Sequence, residues 1–217
     1  MVSPVELRLN KIIQNVIEPS LNVYSFKKNR DVYVHDRKEL SWLIDIQRSR
    51  WNDIAKTEFT LNGGVFVPRV ISIYINKLEP KKISLKDCCI HARIGMLADD
   101  KLDKWWTLTS GDDIVVDDAI GNDIKRRIEC NIMPFLERLE TLDDVIEFLK
   151  GPRQNEDRYV WPQSDAICLA YVAIIYSILG EFKKSEAAFD SAVKAAQNSP
   201  VESVIIKLRN RILKRPV

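Results

Sequence analysis

Residues 40–67, LSWLIDIQRSRWNDIAKTEFTLNGGVFV, constrain the fold more than any other stretch. Trp42, Ile44 and Ile46 alternate with Leu43, Asp45, Gln47 and Ser49. After a short polar connection, Phe59, Leu61 and Val65 alternate with Thr60, Asn62 and Phe66. Side chains on a strand point to opposite faces in turn, so this pattern predicts two paired strands with one apolar and one mostly polar side. A sheet of that kind needs helices on its dry face, which argues for an α+β architecture.

The flanking chain supplies the rest of the layer. Residues 31–35, 68–76, 87–97 and 103–109 all read as strands, giving an antiparallel sheet of about five to six. Ser3-Pro4-Val5-Glu6 is a capping box with proline at the first helical position. It opens an amphipathic N-terminal helix expected to end near Pro19. From Asp117 the apolar period becomes helical, with Pro134 as an expected kink. Thr141 and Asp144 cap a shorter helix that stops at Gly151. Residues 151–163, polar and carrying two prolines, read as a linker. The division is therefore residues 1–150 as an α+β domain, 151–163 as linker and 164–217 as helices, the last opened by Ser199-Pro200-Val201-Glu202.

Composition excludes several function classes. The 217 residues carry 33 basic and 31 acidic side chains, a net charge of +2. That balance gives no pull toward nucleic acid or a charged membrane surface. The opening residues lack the basic start and apolar core of a signal peptide. No apolar run reaches the roughly 18 residues of a membrane helix. A cytoplasmic location without membrane attachment is expected. The four cysteines, Cys88, Cys89, Cys130 and Cys168, have no CxxC spacing and read as buried thiols. Neither His35 nor His91 has a companion at metal-binding spacing. Cys89 and His91 would lie about 7 Å apart along one strand, too far for a dyad. Phosphate-binding loops, dinucleotide fingerprints and hydrolase elbows are missing, so no cofactor or metal is expected.

Two resemblances emerge. Phe26-Lys27-Lys28, then Ile46-Gln47-Arg48-Ser49-Arg50-Trp51-Asn52, Phe59-Thr60-Leu61-Asn62-Gly63-Gly64-Val65, Ala92-Arg93-Ile94-Gly95 and Lys104-Trp105-Trp106 occur in that order. This set resembles the bacterial family called domain of unknown function 4304, over roughly the front two-thirds of the chain. Ser25 departs from it, standing where the family more often has glycine. The resemblance carries no activity; it implies a setting near toxin and immunity genes. Ala173, Tyr176, Gly180, Phe182, Ser185, Phe189, Ala192 and Pro200 are similar to one tetratricopeptide repeat, with Ser185 in place of the usual alanine. One such unit cannot close a core alone and must dock on the front domain.

The candidate site residues sit on the polar sheet face and its turn. Asp45, Gln47, Asn62, His91 and Arg93 could share that face if the registers align. Arg48, Arg50 and Trp51 combine forks for anions with a stacking plate. The plainer use for these arginines is pairing with Asp45 or Asp53. Trp105 and Trp106 must face opposite ways, one into the core and one available as an interface anchor. The expected function is a non-catalytic, cytosolic protein-binding module, an immunity protein that covers a bacterial toxin. The alternative is an enzyme or small-ligand protein that holds a phosphorylated or nucleotide-like molecule on the polar face. Nucleic-acid binding through the basic C-terminal helix ranks behind both.

Overall fold

A computed structural model describes residues 3–111, 114–152 and 157–213. Among the described residues six strands form one antiparallel sheet: β1 (Lys27–Asn29), β2 (Val32–Asp36), β3 (Ser41–Arg48), β4 (Lys56–Phe66), β5 (Ile90–Arg93) and β6 (Trp106–Thr109). They lie in the order β1-β2-β3-β4-β5, and β6 also pairs with β4. The 11-residue β4 is the spine. One of its edges pairs with β3 along the length of that strand. The other is shared end to end: β6 opposite Lys56–Phe59 and β5 opposite Asn62–Val65. Trp42, Ile44, Ile46, Phe59 and Leu61 point into the main core, as the alternation predicts.

The opposite face is only partly polar. Leu43, Phe66 and Cys88 form a second small apolar cluster there, packed by Val32, Val34, Ile83 and Leu85. The chain after β4 folds back over that end of the sheet. Gly64 permits the approach: a Cβ on it would lie 2.9 Å from the Cys88 sulfur.

The first helix opens with half of the expected capping box, the Ser3 hydroxyl accepting the Glu6 N–H at 3.2 Å while the Glu6 carboxylate meets Arg48. It does not stop at Pro19. Helix α1 (Pro4–Ile12) continues through a π segment (Ile13–Ile17) into α2 (Glu18–Asn22). A proline inside a helix gives up one hydrogen bond and crowds the carbonyl four residues back; a widened turn just before it accommodates both. Residues 68–76, expected as a strand, instead hold α3 (Val70–Ile75) between two left-handed residues, Arg69 and Asn76. Their β-branched and aromatic composition favours a strand, but burial overrides it: Val70 and Ile71 enter the core, and the rings of Tyr74 and Tyr171 meet edge-on at 5.1 Å. The strand expected over 87–97 shortens to β5 between 3₁₀ turns at Leu85–Asp87 and Ile94–Leu97.

The proline device recurs in the second long helix. There α4 (Ile114–Arg127) passes through Ile128–Ile132, again π, into α5 (Met133–Glu137), with Pro134 just beyond the wide turn. Helix α6 (Leu142–Lys150) follows, opened by the predicted capping box at Thr141 and Asp144. In the expected linker, residues 153–156 lie outside the described residues. Beyond them Trp161 joins the free edge of β5, exchanging backbone bonds with His91 at 3.2 and 2.8 Å. The Trp161–Pro162 peptide is cis.

Helices α7 (Asp165–Ile178), α8 (Phe182–Ala196) and α9 (Glu202–Leu213) complete the chain. Ala170, Val172, Ala173, Ile174 and Ile175 of α7 are fully buried in the cluster that also holds Leu9 and Leu61. The Ser185 hydroxyl donates to the Ala173 carbonyl at 2.8 Å, which satisfies a buried polar group where two helices approach. Cys88, Cys89 and Cys168 are buried thiols as expected, whereas Cys130 is exposed. Among the described residues no helix is long and apolar enough to cross a membrane.

Candidate functional site

Strand register gathers most of the candidate face. Asp45 lies opposite Asn62, and Asn62 lies opposite Arg93. The Asn62 amide donates to Asp45 Oδ2 and to Gln47 Oε1, each at 3.2 Å. Arg93 adds a longer bond to the same Gln47 oxygen at 3.4 Å. Its main partner is Asp103, gripped by Nη1 at 2.7 and 2.6 Å. Trp105 completes the set: its indole N–H donates to Asp103 at 3.2 Å, and the Arg93 guanidinium lies 4.9 Å over its ring. Trp106 is the buried member of the tryptophan pair, with its N–H on Asp123 at 2.9 Å. The Thr60 hydroxyl donates to the Lys104 carbonyl at 2.7 Å, so residues 98–105 are pinned across this end of the face.

The network is mostly self-satisfied. Two groups stand out. Asp45 has no cation beside it among the described residues, and burial raises its carboxyl above the ordinary value despite the opposing bond from Asn62. Arg93 Nε is buried with no hydrogen-bond partner among the described residues.

His91 belongs to the same face but serves its edge. Its ring stacks on Trp161 with centroids 6.0 Å apart, and burial lowers its pKa to about 4. It is neutral at physiological pH. Burial also pushes the Cys88 thiol well above its ordinary value and Cys89 to about 12. Both remain protonated, the inert form of cysteine. Among the described residues no three His, Cys, Asp or Glu side chains are grouped to hold a metal ion.

The remaining arginines are not brought to this face. Arg48 shares the parity of Ile44 and Ile46, and at the strand end it meets Glu6 of α1 and, at 3.4 Å, Asp31. Arg50 stacks on Trp51, 4.8 Å from the ring centroid. The expected pairings with Asp45 or Asp53 do not form: Asp53 instead accepts the N–H groups of Ala55 and Lys56, each at 2.8 Å. The three arginines thus occupy three separate places. Trp51 is 74% exposed and Ile54 is 82% exposed, both at the tip of the β3–β4 hairpin.

Sequence reasoning missed Asp103, ten residues from the arginine it grips. It also missed Asp123, which Trp106, Arg126 and Lys104 hold below the ordinary carboxylate range although burial alone would raise it. Two concavities went unread as well. A groove of about 870 Å³ runs between α1–α2 and α4, floored by Ile12, Val16 and Gly121. A smaller cavity of about 360 Å³ lies beside α3. The groove joins segments a hundred residues apart, and the cavity lies within residues 66–87, a stretch read as a strand and a loop.

These features define an α+β sheet protein whose wet face is held by its own hydrogen bonds and whose hairpin tip carries bare aromatic and aliphatic side chains. The chain belongs to the family described as Domain of unknown function (DUF4304), which matches residues 17–138. The match spans every candidate residue from Asp45 to Trp105 and ends at the last residue capping α5. No curated protein and no solved structure matches the chain.

Proposed function

We propose that this chain is a non-catalytic protein-binding module whose contact surface centres on the β3–β4 hairpin tip and extends along Ser49 and Gln47 toward Asp45. The observation that carries the reading is a stiff turn holding apolar anchors in solvent. The Asn52 side chain clamps both backbone groups of Glu58, accepting at 2.8 Å and donating at 3.1 Å. Asp53 closes the turn through Ala55 and Lys56. Trp51 and Ile54 project from that frame, with Arg50 over the indole. Tryptophan and arginine are the side chains most often found at the energetic centre of interfaces. A turn already rigid loses little entropy on docking.

The finer reading is an immunity protein that acts in the bacterial cytoplasm by covering a toxin, with α7 and α8 as a lone tetratricopeptide-like unit capped by α9. The test is co-purification with the protein encoded beside it. A tight complex is expected, and Trp51→Ala with Ile54→Asp should weaken it by about 2 kcal/mol or more with no change in melting temperature. A double variant that binds as tightly, or a locus with no toxin and no recovered partner, would overturn the reading.

A second reading has one observation in its favour. The unpartnered Arg93 Nε could meet a phosphorylated or nucleotide-like molecule on the polar face. Nucleotides that leave the thermal midpoint unmoved would remove it.

A further inference from the structure

The 360 Å³ cavity beside α3 falls within the size range of small-ligand sites, about 300–1,000 Å³. Its walls divide by chemistry. Phe66, Ile71, Ile75 and Leu78 supply apolar surface, and Leu78 is 96% exposed with nothing packed over it. Arg69, Lys77 and Lys86 supply positive charge. None of the three forms an ion pair with a described residue.

The two acids in the wall are already engaged. Glu79 accepts the Arg69 backbone N–H at 2.9 Å. Asp87 accepts the N–H and hydroxyl of Ser84 at 2.9 and 2.5 Å. The wall therefore carries three cations and two carboxylates, a net charge of +1, with none of the cations in an ion pair to a described residue, so an anion in the hollow meets a positive balance.

The backbone is also held against its preference here. Arg69 has φ 69°, in the left-handed region that most side chains avoid, and Asn76, at φ 55°, ends α3 in the same region, which asparagine tolerates. These two residues bracket α3 and set its angle over the cavity. Such conformations persist where surrounding structure enforces them, and they gather at ligand sites.

We infer that this cavity binds a small amphiphilic anion, its apolar body on Phe66 and Ile71 and its carboxylate or phosphate facing Arg69, Lys77 and Lys86. The site lies away from the hairpin tip and stands independently of the protein-binding reading.

Octanoate and octyl phosphate, titrated into the full chain and followed by amide NMR, test it. Octanol and inorganic phosphate serve as controls that carry only the tail or only the charge. Saturable shifts at Phe66, Ile71 and Ile75 are expected with both anions, and the tighter one identifies the head group. Each control should bind at least about ten-fold more weakly. Exchanging Lys77→Gln and Lys86→Gln together, at exposed positions that leave the fold intact, should weaken anion binding about ten-fold and leave octanol unaffected. Octanol binding as well as octanoate, an unchanged double variant, or no saturable shift with either anion would overturn the inference.

Discussion

At the scale of single residues, His91 links the sheet edge to pH. Its imidazole is half-buried against Trp161, and that burial lowers its pKa to about 4 in the fold, against about 6.5 in an unfolded chain. Above pH 6.5 both states are neutral and its protonation does not affect stability. Between 6.5 and about 4 only the unfolded chain takes up the proton, so stability falls as pH falls. Below about 4 both states are charged and the loss levels off, at a total on the order of 3 kcal/mol. Urea midpoints of wild type and His91→Gln, compared across that window, should diverge with the wild type showing the steeper acid loss. Parallel curves would show that His91 titrates the same folded and unfolded. Arg48 teaches a different lesson at this scale. Its parity with Trp42, Ile44 and Ile46 was visible in the sequence and already assigned it to the helix-covered face. Asp45, Gln47, Asn62 and Arg93 were legible as a group because alternation fixes faces, and facing strands then fix neighbours. Asp103 was not, because a loop residue has no period to read.

At the scale of elements, the central strands and the helix that runs on past Pro134 were readable, and the helix around Pro19 was not. The hydrophobic alternation of residues 40–67 became β3 and β4 with the predicted apolar face. Pro19 is an ordinary helix-ending signal and Pro134 an ordinary kink signal, and a π turn placed just before each lets the helix pass. That turn depends on packing, which no linear pattern encodes. The same holds for α3, whose composition says strand and whose burial says helix. The loop from β5 to β6 carries its own check. A Cβ on Gly95 would fall 2.0 Å from the Leu102 carbonyl oxygen, an overlap with backbone that no rotamer relieves. Gly95→Ala should therefore cost about 3 kcal/mol and displace the Asp103 loop, shifting the emission of Trp105. Gly111→Ala meets no atom within 4 Å and serves as the neutral control. Equal stability of the two variants would contradict this account of the loop.

At the scale of the whole molecule, one apolar cluster runs from Leu9 through Leu61 to Leu208. Helix α7 is central to it, and each of its buried aliphatic side chains contributes roughly 1.5–3 kcal/mol. Tyr74 meets Tyr171, and Arg211 donates to the Ile73 carbonyl, so α3 is held from the C-terminal side. A chain ending at Lys150 should show no cooperative thermal transition by circular dichroism; a sharp melt would mean that the front part folds alone. The sheet's outer strands have a further consequence. β1 is three residues long and bears Lys27 and Lys28, β6 has its Thr109 carbonyl taken by Arg8, and β5 is closed by Trp161. A second copy arriving side-on finds only short, charged or already occupied ladders, so crowding at high concentration offers little template for fibril growth.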